Sequence, residues 1–169
     1  SDYRITIEGY GARIEDLRPG NHDGSDYLEG IDELTFADGT FALAVEGFQL
    51  LASDGFVGTI GGSGKVFGTA GFQDMSVFGV FGRIDFDGSF NRGGDIIRLP
   101  GDASNWQVKR TGSAAEFFDG ATAVRVPFGN VGMAIVFDDG QRVLKLAENG
   151  LTALIGSQAV SSEEIPLSA

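Results

Sequence analysis

The sequence predicts an all-β protein, a β-sandwich or a β-roll-like module made of two related β units. The chain has 169 residues, among them 27 glycines, 14 phenylalanines and only 4 prolines. Frequent Val, Ile, Thr and Phe favour short strands, and the glycines between them favour tight turns. A helical period shows only weakly, near 151–155. We therefore expect many short strands around a packed apolar core.

The first predicted elements are strands with strict alternation. Tyr3, Ile5 and Ile7 share one face of a strand, and a glycine turn leads into a second strand at 12–17. After a polar loop at 18–26, the run 30–43 places an Asp-Gly pair between two alternating apolar segments. That pattern predicts a β-hairpin.

The same plan begins again at Trp106. Strands predicted at 106–110, 115–117 and 124–126 precede a second hairpin around 137–140, and short glycine-rich strands fill 58–94. Tyr3 to Asp38 spans 35 positions and Trp106 to Asp139 spans 33, so the two copies align almost without gaps. A lead-in strand at 94–104 precedes the second copy, and we expect the first copy to be truncated at its start. The expected division is a first β unit at 1–55, the Gly/Phe-rich strands plus the second unit at 56–155, and a linker or tail at 156–169.

The charge balance excludes some classes of partner. The net charge is −12, from 12 basic and 24 acidic residues, and such a surface repels nucleic acid and anionic membranes. The carboxylates either form a solvated acidic face or bind hard cations. The absence of cysteine excludes disulfides and thiolate catalysis, and no apolar run is long enough for a membrane helix.

Two acidic loops are candidate calcium sites, because Ca2+ takes carboxylate, amide and carbonyl oxygens. In the stronger one, two carboxylates on one side of a strand meet an amide and a third carboxylate beyond a glycine loop, and a fourth joins from a neighbouring strand. These residues are Asp85, Asp87, Asn91, Asp95 and Asp74. In the weaker one, Asn21, Asp23 and Asp26 alternate around Gly24. The alternative for the stronger loop is a surface hairpin in which Arg92 pairs with Asp87. The alternative for the weaker loop is a polar turn that caps its own backbone.

The passage 23–39, DGSDYLEGIDELTFADG, resembles the segment that accompanies calcium-binding RTX (haemolysin-type) repeats in secreted bacterial proteins. The resemblance covers 2–45 and, more weakly, 105–146. An intact RTX nonapeptide is not present: 93–97 keeps the glycines, the aspartate and the apolar follower but loses their spacing. The resemblance implies secretion by the type I route and folding outside the cell, where calcium binds the acidic loops.

These observations lead to a functional expectation. We expect a calcium-stabilised structural or adhesive module of a secreted or cell-surface bacterial protein, acting in a biofilm matrix or surface layer. Its partners would be extracellular polysaccharide or neighbouring modules. The alternative is a carbohydrate-binding module, with Tyr10 and Tyr27 as candidate sugar contacts, because aromatic rings offer apolar area with polar rims. No catalytic set is evident, since His22 is the only histidine, and we expect no enzymatic activity.

Overall fold

The computed structural model describes residues 2–8, 11–20, 23–29, 31, 33–37, 39–42, 47–79, 82–90, 92 and 94–168. Strands dominate these residues, and their one helical segment is a three-residue 3-10 turn, Ala103–Asn105. The prediction of an all-β fold is therefore confirmed. The chain divides into two compact units, Ser1–Gly47 and Phe48–Ala169, called unit 1 and unit 2 below.

In unit 1, the residues that the structure describes form a three-stranded antiparallel sheet and a hairpin. Its strands are β1 (Tyr3–Glu8), β2 (Gly11–Asp16), β3 (Ser25–Glu29), β4 (Glu33–Phe36) and β5 (Gly39–Ala42). The sheet has the order β1-β2-β3, and the β4–β5 hairpin closes between Phe36 and Gly39. Buried Ala12 and Leu34 form the centre of a small core, and the Phe36 ring stacks on Tyr3 with 5.2 Å between centroids. The alternation seen in the sequence thus places one apolar face inward.

The described residues of unit 2 form fourteen strands in two seven-stranded sheets. The strands are β6 (Phe48–Leu51), β7 (Val57–Ile60), β8 (Gly64–Phe67), β9 (Asp74–Val77), β10 (Gly82–Phe86), β11 (Ile96–Arg98), β12 (Gln107–Thr111), β13 (Ala114–Phe118), β14 (Thr122–Pro127), β15 (Met133–Phe137), β16 (Gly140–Leu146), β17 (Ala153–Ile155), β18 (Gln158–Val160) and β19 (Ile165–Pro166). The first sheet has the order β19-β12-β13-β14-β10-β8-β6, and the second β18-β17-β16-β15-β11-β9-β7.

The first half of unit 2 is a coil of parallel strands, which we call the roll (β6–β11). Successive strands alternate between the two sheets, and each pairs in parallel with the strand of the previous turn. In the first sheet, Phe48 and Ile84 flank Gly64 in register. A Cβ at Gly64 would lie 2.3 Å from the Phe48 carbonyl oxygen, so the close stacking there requires glycine.

The core of unit 2 lies between its two sheets. Phe86 and Phe90 are fully buried and meet edge to face, with ring centroids 4.8 Å apart. Phe117 of the first sheet meets Phe137 of the second at 6.5 Å. Trp106 is 1% exposed and donates its indole N–H to the Pro100 carbonyl at 2.9 Å. Both halves of unit 2 therefore contribute to a single apolar layer.

The second half of unit 2 repeats the plan of unit 1, as the sequence predicted. Strands β12–β14 form an antiparallel meander like β1–β3, and β15–β16 form a hairpin like β4–β5. The registers of the two copies correspond. In β1–β2, Tyr3 opposes Asp16, and in β12–β13 the pair one position further along the strand, Gln107 opposite Phe118, keeps the same register. At the hairpins, Phe137 faces Gly140 as Phe36 faces Gly39.

The last part of the chain is packed onto unit 2. The segment 156–169, for which the sequence predicts a linker or tail, contains β18 and β19, and its Val160 and Leu167 are buried. The weak helical period near 151–155 lies in a turn and strand β17 instead. Pairing with β17 and β12 supplies these short strands with backbone partners.

Candidate functional site

Three turns of the roll lie along one edge of unit 2, and we call them the turn stack. They are residues 52–56, 68–73 and the described part of 87–95 (87–90, 92, 94 and 95), and each links a strand of the first sheet to a strand of the second. Because the strands that they connect are parallel and in register, successive turns fall next to one another. The turn stack is therefore the place where polar side chains from distant sequence positions can meet.

Hydrogen bonds connect each turn to the next. The Gly68 N–H donates to Ser89 Oγ at 2.9 Å, which joins the second turn to the third. The Gln73 side chain donates to the Ser53 carbonyl at 3.4 Å, and the Thr69 hydroxyl donates to Asp54, which joins the second turn to the first. These contacts satisfy turn groups that have no place in the strand ladders.

Asp95 is the buried carboxylate of the turn stack. It is 0% exposed, and its Oδ1 accepts the Gln73 backbone N–H at 2.7 Å. Burial raises the pKa of Asp95 to about 6, against the opposing effect of that N–H. Asp95 Oδ2 and Gln73 Oε1 are buried without a hydrogen-bond partner. A buried carboxylate oxygen without a donor, such as Asp95 Oδ2, is a place where a proton or a cation would be stabilised.

The structure does not gather the other carboxylates of the stronger loop around Asp95. Asp85 forms an ion pair with Arg125 at 3.0 Å on the first sheet, whereas Asp74 accepts two hydrogen bonds from Arg98 at 2.8 and 2.7 Å on the second. The ion pair with Asp74 raises the pKa of Arg98. In the described part of the chain, no three His, Cys, Asp or Glu side chains form a group that could hold a metal ion.

Asp87 and Asn91 are the remaining candidate ligands of this loop. Asp87 Oδ1 accepts the Ser89 N–H at 3.0 Å and the Ser89 hydroxyl, so this carboxylate caps its own turn. The alternative for this loop paired Asp87 with Arg92, whereas the structure gives Ser89 as the donor to this carboxylate. Asn91 lies outside the described residues.

In unit 1, the polar loop is organised by an arginine. Asp16 is 3% exposed and accepts hydrogen bonds from Arg18 Nε at 2.8 Å and Nη2 at 2.9 Å, which hold the pKa of this carboxyl well below its usual range. Arg18 also contacts Asp23, and the Tyr3 hydroxyl donates to Asp23 Oδ2 at 2.7 Å. The hydrogen bond from Tyr3 lowers the pKa of Asp23.

In the described residues, the candidate ligands of the weaker site do not belong to a cluster of three or more side chains that could hold a metal ion. A guanidinium, with its planar fork of donors, occupies the position next to Asp23 where the sequence predicted a cation. Asp26 is exposed on β3, and Asn21 lies outside the described residues. Of the two candidate sugar contacts, Tyr27 is 42% exposed with the Arg13 guanidinium 5.9 Å from its ring centroid, while Tyr10 lies outside the described residues.

Gln73, Asp16 and Arg18 are the residues that sequence reasoning missed. Asp16 and Arg18 are separated by one residue, and their spacing in a strand end and loop follows no metal or catalytic motif. Gln73 meets Asp95 across 22 positions, and only the parallel register of β9 and β11 brings them together. A detectable signal existed only for Asp95, the sole acid of the short segment between two glycines and the apolar β11.

No family model, curated protein or solved structure matches this chain. Among the residues that the structure describes, no helix has the length and apolar character needed to cross a membrane.

Proposed function

We propose that this chain is a structural or adhesive β module of a secreted or cell-surface bacterial protein. The observation that carries the proposal is the roll, a coil in which each strand pairs in parallel with the strand of the adjacent turn. Architectures of this kind extend along one axis by adding turns, and they serve as spacers and as long binding surfaces. In this proposal the module serves as such an element in a biofilm matrix or a surface layer.

The surface chemistry supports the same proposal. Most carboxylates named as candidate ligands are engaged in ion pairs or turn caps, as Asp74, Asp85 and Asp87 show, so they stabilise the fold. The net charge of −12 disfavours polyanionic partners. The partners in this proposal are extracellular polysaccharide and neighbouring modules of the same protein.

We also propose that calcium stabilises unit 2 at Asp95. Asp95 fits such an ion in part, because its Oδ2 is a hard oxygen that is buried without a hydrogen-bond donor. Gln73, whose backbone N–H contacts Asp95 Oδ1, also has a buried side-chain oxygen without a donor. The positive charge of a bound cation would offset the buried carboxylate. Backbone carbonyls and water commonly complete the oxygen shell that calcium requires.

A thermal melt of the full chain tests this proposal, with Trp106 emission as the reporter of unit 2. Saturating calcium should raise the melting temperature by several degrees relative to EDTA, because ligand at 100 times its Kd adds about 2.7 kcal/mol to the free energy of unfolding. Asp95→Asn should abolish the calcium shift. Asp85→Asn is the control and should keep the shift, since Asp85 pairs with Arg125. Equal midpoints for the native chain in calcium and in EDTA would contradict the calcium proposal.

A carbohydrate-binding module is the second candidate, and exposed Tyr27 favours it. Its ring lies on β3 opposite Arg13, so an aromatic surface and a cation occur together on one sheet. Sugars stack on such rings. A glycan array should show retention that Tyr27→Ala removes, whereas Phe72→Ala, at a similarly exposed aromatic of unit 2, should leave retention unchanged. An array without retained glycans would reject this candidate and leave the structural proposal in place.

A further inference from the structure

The roll supplies the edge strand of each sheet of unit 2. In the described part of the chain, β6 is the last strand of the first sheet and β7 is the last strand of the second. Residues 47–79, which include both strands and the turn between them, are all described. The Phe56 and Ile60 carbonyls accept hydrogen bonds from the next turn at 2.9 and 2.7 Å. Because alternate residues of a parallel strand bond to opposite sides, the peptide groups of Val57 and Thr59 point away from β9.

The apolar core is less covered at these two strands than one turn further in. In the first sheet, Leu50 is only partly buried, whereas Val66, its partner in register, is 0% exposed. In the second sheet, Ile60 is only partly buried, whereas its partner Val77 is 4% exposed. All four side chains belong to or pack against the same core. One further strand on each sheet would therefore bury apolar surface that is now accessible.

The two edge strands carry none of the features that prevent edges from pairing. Strand β6 reads Phe-Gln-Leu-Leu and β7 reads Val-Gly-Thr-Ile, without a charge or a proline. Leu51 is 79% exposed and Val57 is 72% exposed, so apolar side chains stand on these strands in contact with solvent. At the other end of the first sheet, β19 has only two residues, and one of them is Pro166. Short strands, prolines and charges are the usual protection of a sheet edge, and β6 and β7 lack it.

We propose that β6 and β7 are the interface of a symmetric dimer, in which a second copy of this chain adds its own β6 and β7 to them. A twofold axis that crosses both sheets pairs each edge strand antiparallel with its counterpart, so both sheets continue into the second copy. The second copy fits because it presents two edges with the same separation and twist. Two chains of net charge −12 repel each other, and these uncharged strands let them approach. The dimer does not depend on the proposed function.

Sedimentation equilibrium of the full chain over a concentration series tests the proposal. The native chain should associate reversibly to twice the 17.8 kDa of one chain. Leu51→Lys combined with Val57→Lys should raise the dimer Kd at least about 10-fold, because lysines at an edge oppose pairing. These lysines lower the overall repulsion between two acidic chains, so a weaker dimer would report a local effect. The matched control is Leu151→Lys combined with Val131→Lys, at apolar side chains that are 74% and 55% exposed, and it should not raise Kd.

Hydrogen exchange, measured by mass spectrometry at 48–51 and 57–60, locates the interface. Exchange in both segments should slow as the concentration of the native chain rises, and the edge-lysine variant should lose this effect. A chain that stays monomeric throughout the series overturns the proposal. So does a dimer that the edge lysines leave intact, or one that protects a single segment, because the twofold axis pairs both edges. Association beyond two copies, or an equal loss in the control variant, also overturns it.

Discussion

Replacing Asp95 with asparagine should stabilise unit 2 near neutral pH in the absence of calcium. The side chain is fully buried, and its Oδ2 has no hydrogen-bond donor. Asparagine keeps an oxygen for the Gln73 N–H and replaces the unpartnered oxygen with an amide donor. The substitution removes a buried negative charge while keeping the size of the side chain.

The magnitude follows from the pKa of Asp95, which burial raises from 3.8 to about 6. Because the folded-state pKa lies above the unfolded one, this group contributes most favourably below pH 3.8, and its contribution falls as the pH rises through 6. A difference of about 2 pKa units corresponds to about 3 kcal/mol. The change that Asp95→Asn makes in the free energy of unfolding should therefore be about 3 kcal/mol more favourable at pH 7.5 than at pH 3.5.

Urea denaturation in EDTA, followed by Trp106 emission, measures this difference. Trp106 is the only tryptophan and is 1% exposed, so its emission reports the unfolding of unit 2. Phe90→Leu, which changes a buried uncharged side chain in the same turn stack, should change the free energy of unfolding equally at both pH values. An Asp95→Asn effect that is the same at pH 3.5 and 7.5, or that becomes less favourable at pH 7.5, would refute the reasoning.

Three further predictions concern the core, the roll and unit 1. Phe90→Ala should cost about 3–5 kcal/mol in urea denaturation, because its buried ring would leave a cavity; a loss below 1 kcal/mol would contradict this packing. Gly82→Ala should cost about 1–3 kcal/mol, since its φ is 152° and a Cβ would lie 2.3 Å from a backbone oxygen of the adjacent turn. Gly88→Ala, with open space around it, is the control. Arg18→Gln should reduce the loss of unit 1 stability on acidification below pH 4, because Arg18 depresses the pKa of Asp16. Tyrosine emission measures the unfolding of unit 1 as the pH falls. An acid-unfolding profile that is unchanged by the substitution would reject the ion-pair explanation.

The β elements and the repeat could be predicted from the sequence because their determinants are local. Alternation over Tyr3–Glu8 specifies a strand with one apolar face, and the Asp-Gly pairs specify hairpin turns within a few residues. The two copies were recognisable because Phe36 and Phe137 hold the same place before their turns. The predictions of secretion, calcium binding and an RTX relationship stay predictions.

The partners of the charged residues could not be predicted, because parallel register decides them. Asp74 meets Arg98 across 24 positions and Asp85 meets Arg125 across 40, and neither pair has a sequence signal. Carboxylates that are close in sequence were expected to converge, but the chain alternates between two sheets and distributes them to opposite faces.

The sequence by itself thus determined the strand-rich fold, the hairpins and the duplication, since side-chain alternation and turn chemistry act over a few residues. Only the tertiary structure decided that β6–β11 coil in parallel and that Asp95 is buried beside Gln73. Parallel strands pair through connections of many residues, so their register depends on how the whole core packs. The ionisation of Asp95 follows from that packing, because burial is a property of the assembled sheets.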